Sequence, residues 1–138
     1  MPETEYALSP IGFLHSPLKR REEAPRQGYE GAPDAWLEVN ATVAEGLDGI
    51  EVGQEIILIT WLHQSQRDIL KLHPRDDTNM PLTGIFATRS PDRPNPLGLH
   101  RVTVLSRDGK RLQVGPIEAI DGTPVVDIKP VLAQAADA

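Results

Sequence analysis

The sequence predicts an all-β protein, a small single-domain β-barrel with at most short helices, on three observations. Proline and glycine together supply 24 of 138 residues, which is high for a helical chain and suits many short elements joined by defined turns. Apolar residues alternate or form short β-branched runs rather than recurring at helical spacing. Asp-Gly pairs at 48–49, 108–109 and 121–122 fall between those runs, where a tight turn needs the positive φ that such pairs tolerate. Repeated short strands of this kind are best closed on themselves, because closure removes exposed edges.

The elements follow in order. A first strand is expected over 11–15, stopped by Ser16-Pro17, and 18–30 has neither period and reads as a long loop. Leu37, Val39, Ala41 and Val43 alternate with polar residues, the pattern of a strand with one wet face. Residues 55–63 contain the almost continuous apolar run from Ile56 to Leu62, read as a central strand buried on both faces. It ends in the polar cluster His63-Gln64-Ser65. The stretch 67–72 is amphipathic but short, and His73-Pro74 stops it. Residues 82–87 are read as a strand entering a proline-rich loop and 101–105 as the strand leaving it. Leu97 and Leu99 resume an apolar pattern, and Gly98 admits another backbone. Asp108-Gly109 joins Val102-x-Val104 to Leu112-x-Val114, and Asp121-Gly122 joins Ile117-x-x-Ile120 to Val125-Val126-x-Ile128. Asp127, an acid in an apolar strand, needs a cationic or hydrogen-bonding partner if buried, an arginine of the proline loop being one candidate. The alanine-rich tail after Pro130 is expected to be partly loose.

Composition narrows the chemistry. With no cysteine there are no disulfides, thiolate metal sites or thiol catalysis. No eighteen-residue apolar run exists and the N-terminus lacks the order of a signal peptide, so the chain is expected to be soluble and cytoplasmic, with no membrane partner. His63, His73, Asp76 and Asp77 match no compact metal motif, and no metal is expected. The net charge of −6 opposes non-specific coating of nucleic acid. Charge is segregated, however: 29–58 carries a net −7, and 83–111, with Arg89, Arg93, Arg101, Arg107, Lys110 and Arg111, a net +4. A basic face and a modest RNA contact are compatible with that.

The densest chemistry lies in Gly84-Ile-Phe-Ala-Thr-Arg-Ser-Pro-Asp-Arg-Pro-Asn-Pro-Leu-Gly-Leu-His-Arg101. Pro91, Pro94 and Pro96 fix their own φ and push their predecessors toward extended geometry, so the loop is stiff. Extended chain rises about 3.1 to 3.3 Å per residue, so Arg89 and Arg93 can stand roughly 12 Å apart. A surface connection with paired arginines is the ordinary account. A pre-stiffened loop also binds with less ordering cost, which suits a ligand with anionic groups at two places.

Residues 84–99 resemble the signature of the TsaA-like, or TrmO, family, and Asp121-Gly-Thr-Pro-Val-Val-Asp-Ile-Lys-Pro130 resembles a second stretch of it. The likeness covers about two-thirds of the chain. Characterised members are S-adenosylmethionine-dependent tRNA methyltransferases that act on the exocyclic nitrogen of threonylcarbamoyl-adenosine beside the anticodon. The resemblance implies a small barrel that forms a homodimer with the donor site near the subunit interface, and leaves a short helix near 38–48 as an alternative to a strand there. It implies donor contacts from Pro25, Arg26 and Gln27, from His63 and Gln64, from Leu99, and from the turn Asp121, Gly122 and Thr123. Asp127 and Lys129 belong by the same likeness to that surface. Charge matching adds Arg89 for a donor or a substrate carboxylate, and Arg93, with Asn95, as a partner for a substrate carboxylate. Methyl transfer from a sulfonium needs alignment and exclusion of water rather than a metal or covalent nucleophile, and no glycine-rich dinucleotide motif competes with this reading.

Two departures stand out. Relatives proven on tRNA often carry a further C-terminal domain where this sequence stops at Ala138, and His100 stands where many carry a small hydroxyl residue, which bears on acceptor selection. Two other readings stay open: a small-molecule methyltransferase, and a non-catalytic barrel module that binds a nucleotide or metabolite. Six Phe, Trp and Tyr residues give both some weight, since RNA bases are usually held by stacking.

Overall fold

The structure, a computed structural model, describes residues 4–132. Most of the alanine-rich tail, 133–138, lies outside the described residues. Eight strands form: β1 Gly12–His15, β2 Ala35–Val39, β3 Glu55–Trp61, β4 Lys71–Leu72, β5 Thr83–Gly84, β6 Leu97–Asp108, β7 Arg111–Gly115 and β8 Pro124–Pro130. Six of them close a barrel in the order β1-β2-β7-β6-β3-β8, every pair antiparallel, while β4 and β5 pair apart from it. The helical segments are short 3-10 turns. An all-β barrel with at most short helices is therefore what the chain forms.

Alternation sorts the side chains. Leu14, Leu37, Val39, Ile56, Leu58, Val102, Val104, Leu112, Val114 and Val125 point inward and are essentially inaccessible, each such burial contributing about 1.5–3 kcal/mol. The Asp-Gly turns hold: Gly49, Gly109 and Gly122 all have positive φ, at 93°, 61° and 80°.

Several expectations are corrected. The strand expected through Val43 stops at Val39, and Ala41–Leu47 is a 3-10 segment. Asn40 turns the chain there, donating its Nδ2–H to Pro10 O at 3.0 Å, and Val43 is exposed. β3 is not buried on both faces: Ile56, Leu58 and Thr60 are buried, whereas Ile57, Ile59 and Trp61 are half-covered on the outside, because a barrel has one interior. The strand expected over 82–87 shrinks to β5, and Ile85–Ala87 turns as a 3-10 segment with Ile85 buried and Phe86 77% exposed. The stretch 67–72 forms no helix, being too short to nucleate one, and ends as β4.

Ile117 and Ile120 are buried but belong to no strand. Pro116 has no N–H to continue the ladder, so β7 ends at Gly115. Gly98 makes room for side chains rather than backbone: a Cβ there would stand 2.5 Å from Thr60 Oγ1 and 2.6 Å from His100 Nε2. Asp127 is exposed and paired with its neighbour Lys129 at 3.5 Å, not with a proline-loop arginine.

Register places the site. β1 ends, β2 begins, β3 ends, β6 begins, β7 ends and β8 begins at one mouth of the barrel. Three connections crowd that mouth: 16–34, 62–96 and 116–123. Among the described residues, the strand connections at the opposite mouth are 40–54 and the 109–110 turn.

Candidate functional site

Every residue singled out for donor or substrate lies at the crowded mouth. Pro25, Arg26 and Gln27 sit in the connection from β1 to β2. His63, Gln64, Arg89, Arg93 and Asn95 lie between β3 and β6, Leu99 lies in the first turns of β6, and Asp121, Gly122 and Thr123 lead into β8.

Charged side chains sew these connections together. Arg21 donates from Nη2 to both oxygens of Asp92, at 3.0 and 3.1 Å, and from Nη1 to Gln64 O at 3.2 Å. Asp92 also accepts the Gln66 backbone N–H at 2.9 Å. One arginine thus ties the first loop to the end of β3 through Nη1 and to the proline loop through Nη2. Arg26 pairs with Asp76 at 2.9 Å and Arg75 with Glu30. Arg75 and Asp76 both have positive φ, 54° and 57°, a conformation unfavourable for side-chain-bearing residues by about 1–2 kcal/mol each. The two ion pairs clamp that turn against the first loop.

The proline loop is braced from within and from one side. Arg93 donates to the carbonyls of Thr88 at 3.0 Å, Ser90 at 3.1 Å and Ile85 at 3.4 Å. In this arrangement its guanidinium shapes the loop that carries it. Arg67 donates to Pro94 O at 2.7 Å and to Asn95 Oδ1 at 3.2 Å, its guanidinium stacked 5.1 Å over the Trp61 ring. Arg89 is exposed and has no hydrogen bond or ion pair to another described residue. It is the proline-loop arginine that remains available to a ligand.

At the β8 side, Asp121 Oδ1 accepts the Ser16 N–H at 2.9 Å and its Oδ2 faces Lys19 Nζ at 3.3 Å. The Ser16 hydrogen bond holds the carboxyl below its ordinary range; partial burial opposes this and Lys19 adds to it. Thr123 is buried and donates its hydroxyl to Ile120 O at 2.7 Å.

Of the residues singled out for donor or substrate, Gln27, Leu99 and Asp121 line two cavities and the others line neither. One, about 290 Å³, is lined by Gln27, Tyr29, Leu99, His100 and Glu118 among others; the second, an open depression of about 500 Å³, by His15, Lys19, Trp36, Gln113 and Asp121 among others. Gln27 and Leu99 are brought together, and Asp121 stands apart from them. His63 is exposed beyond β3. Sequence reasoning missed Arg21 and Arg67, whose partners lie 71 and 28 residues away; no local pattern announces such pairs. It also missed Glu118, which reads as one acid in an apolar stretch.

The expected basic face is thinned by local pairing. Arg101 binds Glu55 at 2.9 Å, Arg107 donates to the carbonyls of Leu47, Ile50 and Gly109, and Arg111 lies 4.9 Å over the Trp36 ring. Among the described residues no cluster of three or more acids and histidines could hold a metal ion, and no helix is long and apolar enough to cross a membrane.

Residues 13–138 match the family model for the tRNA-methyltransferase O N-terminal domain. The chain is 42% identical over 123 residues to a probable S-adenosyl-L-methionine-binding protein of Archaeoglobus fulgidus, covering 89% of this chain but 33% of that one. It is 37% identical over 130 residues to a probable S-adenosyl-L-methionine-binding protein of Methanothermobacter thermautotrophicus, covering 94% and 93%. Among solved structures, TrmO from Pseudomonas aeruginosa superposes with a TM-score of 0.76 at 32% identity, over 99% of this chain and 61% of that one. The chain thus spans a third of the first of these relatives and about three-fifths of the TrmO chain. The barrel, the two signature stretches and these matches agree: the chain belongs to the TrmO family.

Proposed function

We propose that this protein is an S-adenosylmethionine-dependent methyltransferase acting on the exocyclic nitrogen of threonylcarbamoyl-adenosine in tRNA. The observation that carries the reading is that the candidate residues, drawn from four separate parts of the sequence, lie at one mouth of the barrel. Relatives named for binding S-adenosylmethionine support the donor. The family model, named for tRNA methyltransfer, supports the acceptor.

In this reading Gln27 and Leu99 hold the donor in the smaller cavity, Pro25, Arg26, His63 and Gln64 contribute from the loops at the same mouth, and Arg89 takes an anionic group. Asp121, Gly122 and Thr123 complete the donor contacts, and Arg93 and Asn95 present the proline loop to the substrate. A cavity of about 290 Å³ sits at the lower edge of the roughly 300–1,000 Å³ usual for ligands. A second copy laid over the outer face of β3 and β6, where Ile57, Ile59, Leu97 and Leu99 are neighbours, deepens it, and we assign the protein a homodimer on that ground. A tRNA substrate puts it in the cytoplasm.

The test is titration with S-adenosylmethionine followed by transfer to tRNA bearing unmethylated threonylcarbamoyl-adenosine. Saturable binding that weakens in Arg89→Ala, together with transfer, is the expected result. Binding with no transfer to that tRNA overturns the acceptor assignment, and no binding overturns the enzyme.

A further inference from the structure

An inward-facing polar chain at the start of β6 has no part in donor or substrate contacts as assigned above. His100 is 6% exposed, and its Nε2 lies 2.7 Å from Oγ1 of the fully buried Thr60, while its Nδ1 hydrogen-bonds Glu118 Oε1. Counting donors assigns the tautomer. The Thr60 hydroxyl has no other partner among the described residues, so it donates to Nε2, and Nδ1 carries the ring hydrogen and donates to the carboxylate. Glu118 is thereby fixed through one oxygen.

Its second oxygen, Oε2, looks toward Gly28, 3.7 Å from where a Cβ would stand on that residue. Glu118 and His100 line the smaller cavity together with Gln27 and Leu99. Three linked polar groups in an otherwise aliphatic barrel are unfavourable to desolvate and stabilise the fold less than packed hydrocarbon does. Their arrangement leaves one carboxylate oxygen aimed into the cavity.

We propose that Glu118 accepts the proton released by the acceptor nitrogen, with His100 and Thr60 as its positioning residues; this rests on the methyltransferase reading above. The exocyclic nitrogen of threonylcarbamoyl-adenosine bears one hydrogen and lies next to a carbonyl. As its bond to the methyl carbon forms, the carbon–sulfur bond breaks and its electron pair stays on sulfur, which becomes a neutral thioether. The nitrogen turns cationic and acidic, and its proton passes to Glu118 Oε2 and later to water. No further reactant is consumed.

The test is Glu118→Gln, which keeps an oxygen for the His100 Nδ1–H and the side-chain shape but cannot take the proton. For transfer to threonylcarbamoyl-modified tRNA, kcat is expected to fall about 100-fold or more, the usual contribution of a positioned base. KM for the tRNA and the Kd for S-adenosylmethionine, read by titration, stay within about threefold. Thr60→Val, which keeps the shape but removes the hydroxyl, lowers kcat about tenfold without raising KM. In ¹⁵N-histidine-labelled protein, His100 shows the Nδ1–H tautomer.

A kcat within about threefold of wild type in Glu118→Gln, or a loss explained wholly by weaker donor binding, overturns the proposal. So does an Nε2–H tautomer at His100. Absence of transfer by the wild type, with the donor bound, overturns the acceptor reading and this proposal together, so the two failures are distinguishable.

Discussion

Arg21 and Asp92, 71 residues apart in sequence, face each other with both carboxylate oxygens within 3.1 Å of one guanidinium nitrogen. The pair is partly buried at side-chain exposures of 37% and 23%, and it links two loops that the barrel's own hydrogen bonds leave unconnected. Arg21→Ala is expected to weaken S-adenosylmethionine binding by up to about tenfold, equivalent to about 1.4 kcal/mol of lost preorganisation. The barrel, held by its strand ladders, keeps its melting temperature within about 2 °C, since such pairs contribute about 0–1 kcal/mol to stability. Titration and a thermal melt on the same preparation check both halves.

Gly98→Ala places a methyl group against Thr60 Oγ1 and His100 Nε2. Overpacking of this kind costs about 1–3 kcal/mol. Urea unfolding should show that loss, and adding Thr60→Ala with His100→Ser, which removes both obstacles, should recover part of it. No recovery in the triple variant would mean that the glycine serves something other than clearance.

Asp121 makes stability depend on pH at the acid end. Its carboxyl is held below the usual range by the Ser16 N–H, so between its folded and unfolded pKa values the unfolded chain binds more protons there. The stabilisation is whole above the unfolded value, about 4, and lost as pH falls through the lower folded value. Asp121→Asn should therefore melt below wild type at pH 7, and the gap should close as pH falls below the unfolded value. A gap independent of pH would show that the carboxylate charge is not the cause.

Ile59 stands between Leu99 and Asp127 on the outer face of the barrel. A lysine there opposes any contact that buries this surface. For the homodimer proposed on this face, Ile59→Lys is expected to shift dimer to monomer in sedimentation velocity with little change in far-UV circular dichroism. Dimers persisting at equal strength would move the interface elsewhere.

Leu58 is fully buried between the β6 and β8 sides of the core. Its replacement by alanine should cost about 2–5 kcal/mol, measured by urea unfolding.

What the sequence made legible follows from how local each cause is. Asp108-Gly109 and Asp121-Gly122 announce turns because the needed backbone conformation depends on those residues alone. The run from Ile56 to Leu62 announces a strand, but its near-continuous apolarity overstates burial: Ile57 and Ile59 face outward, half-covered, opposite Arg101 and Leu99 on β6. The alternation through Val43 misleads because Asn40, by bonding Pro10 thirty residues back in the sequence, ends the strand at a point no periodicity records. At the site, the signature stretches give the candidates, whereas Arg21, Arg67 and Glu118 become visible only when the barrel brings distant chain together. The division of Gln27 and Asp121 between two cavities is likewise a fact of three dimensions.

The ring of strands is joined unevenly. β3 and β6 share seven residue pairs, from Glu55↔Thr103 to Trp61↔Leu97, while β1 meets β8 through Gly12↔Val125 and Phe13↔Pro124 alone. That seam joins the two parts of the barrel most distant in sequence, so its closure carries the largest loop-entropy cost of any strand pair in the ring. The Asp121 turn hangs directly from it, with Gly122 donating to Leu14 O at 2.8 Å. An opening of the seam would therefore carry the Asp121 turn with it.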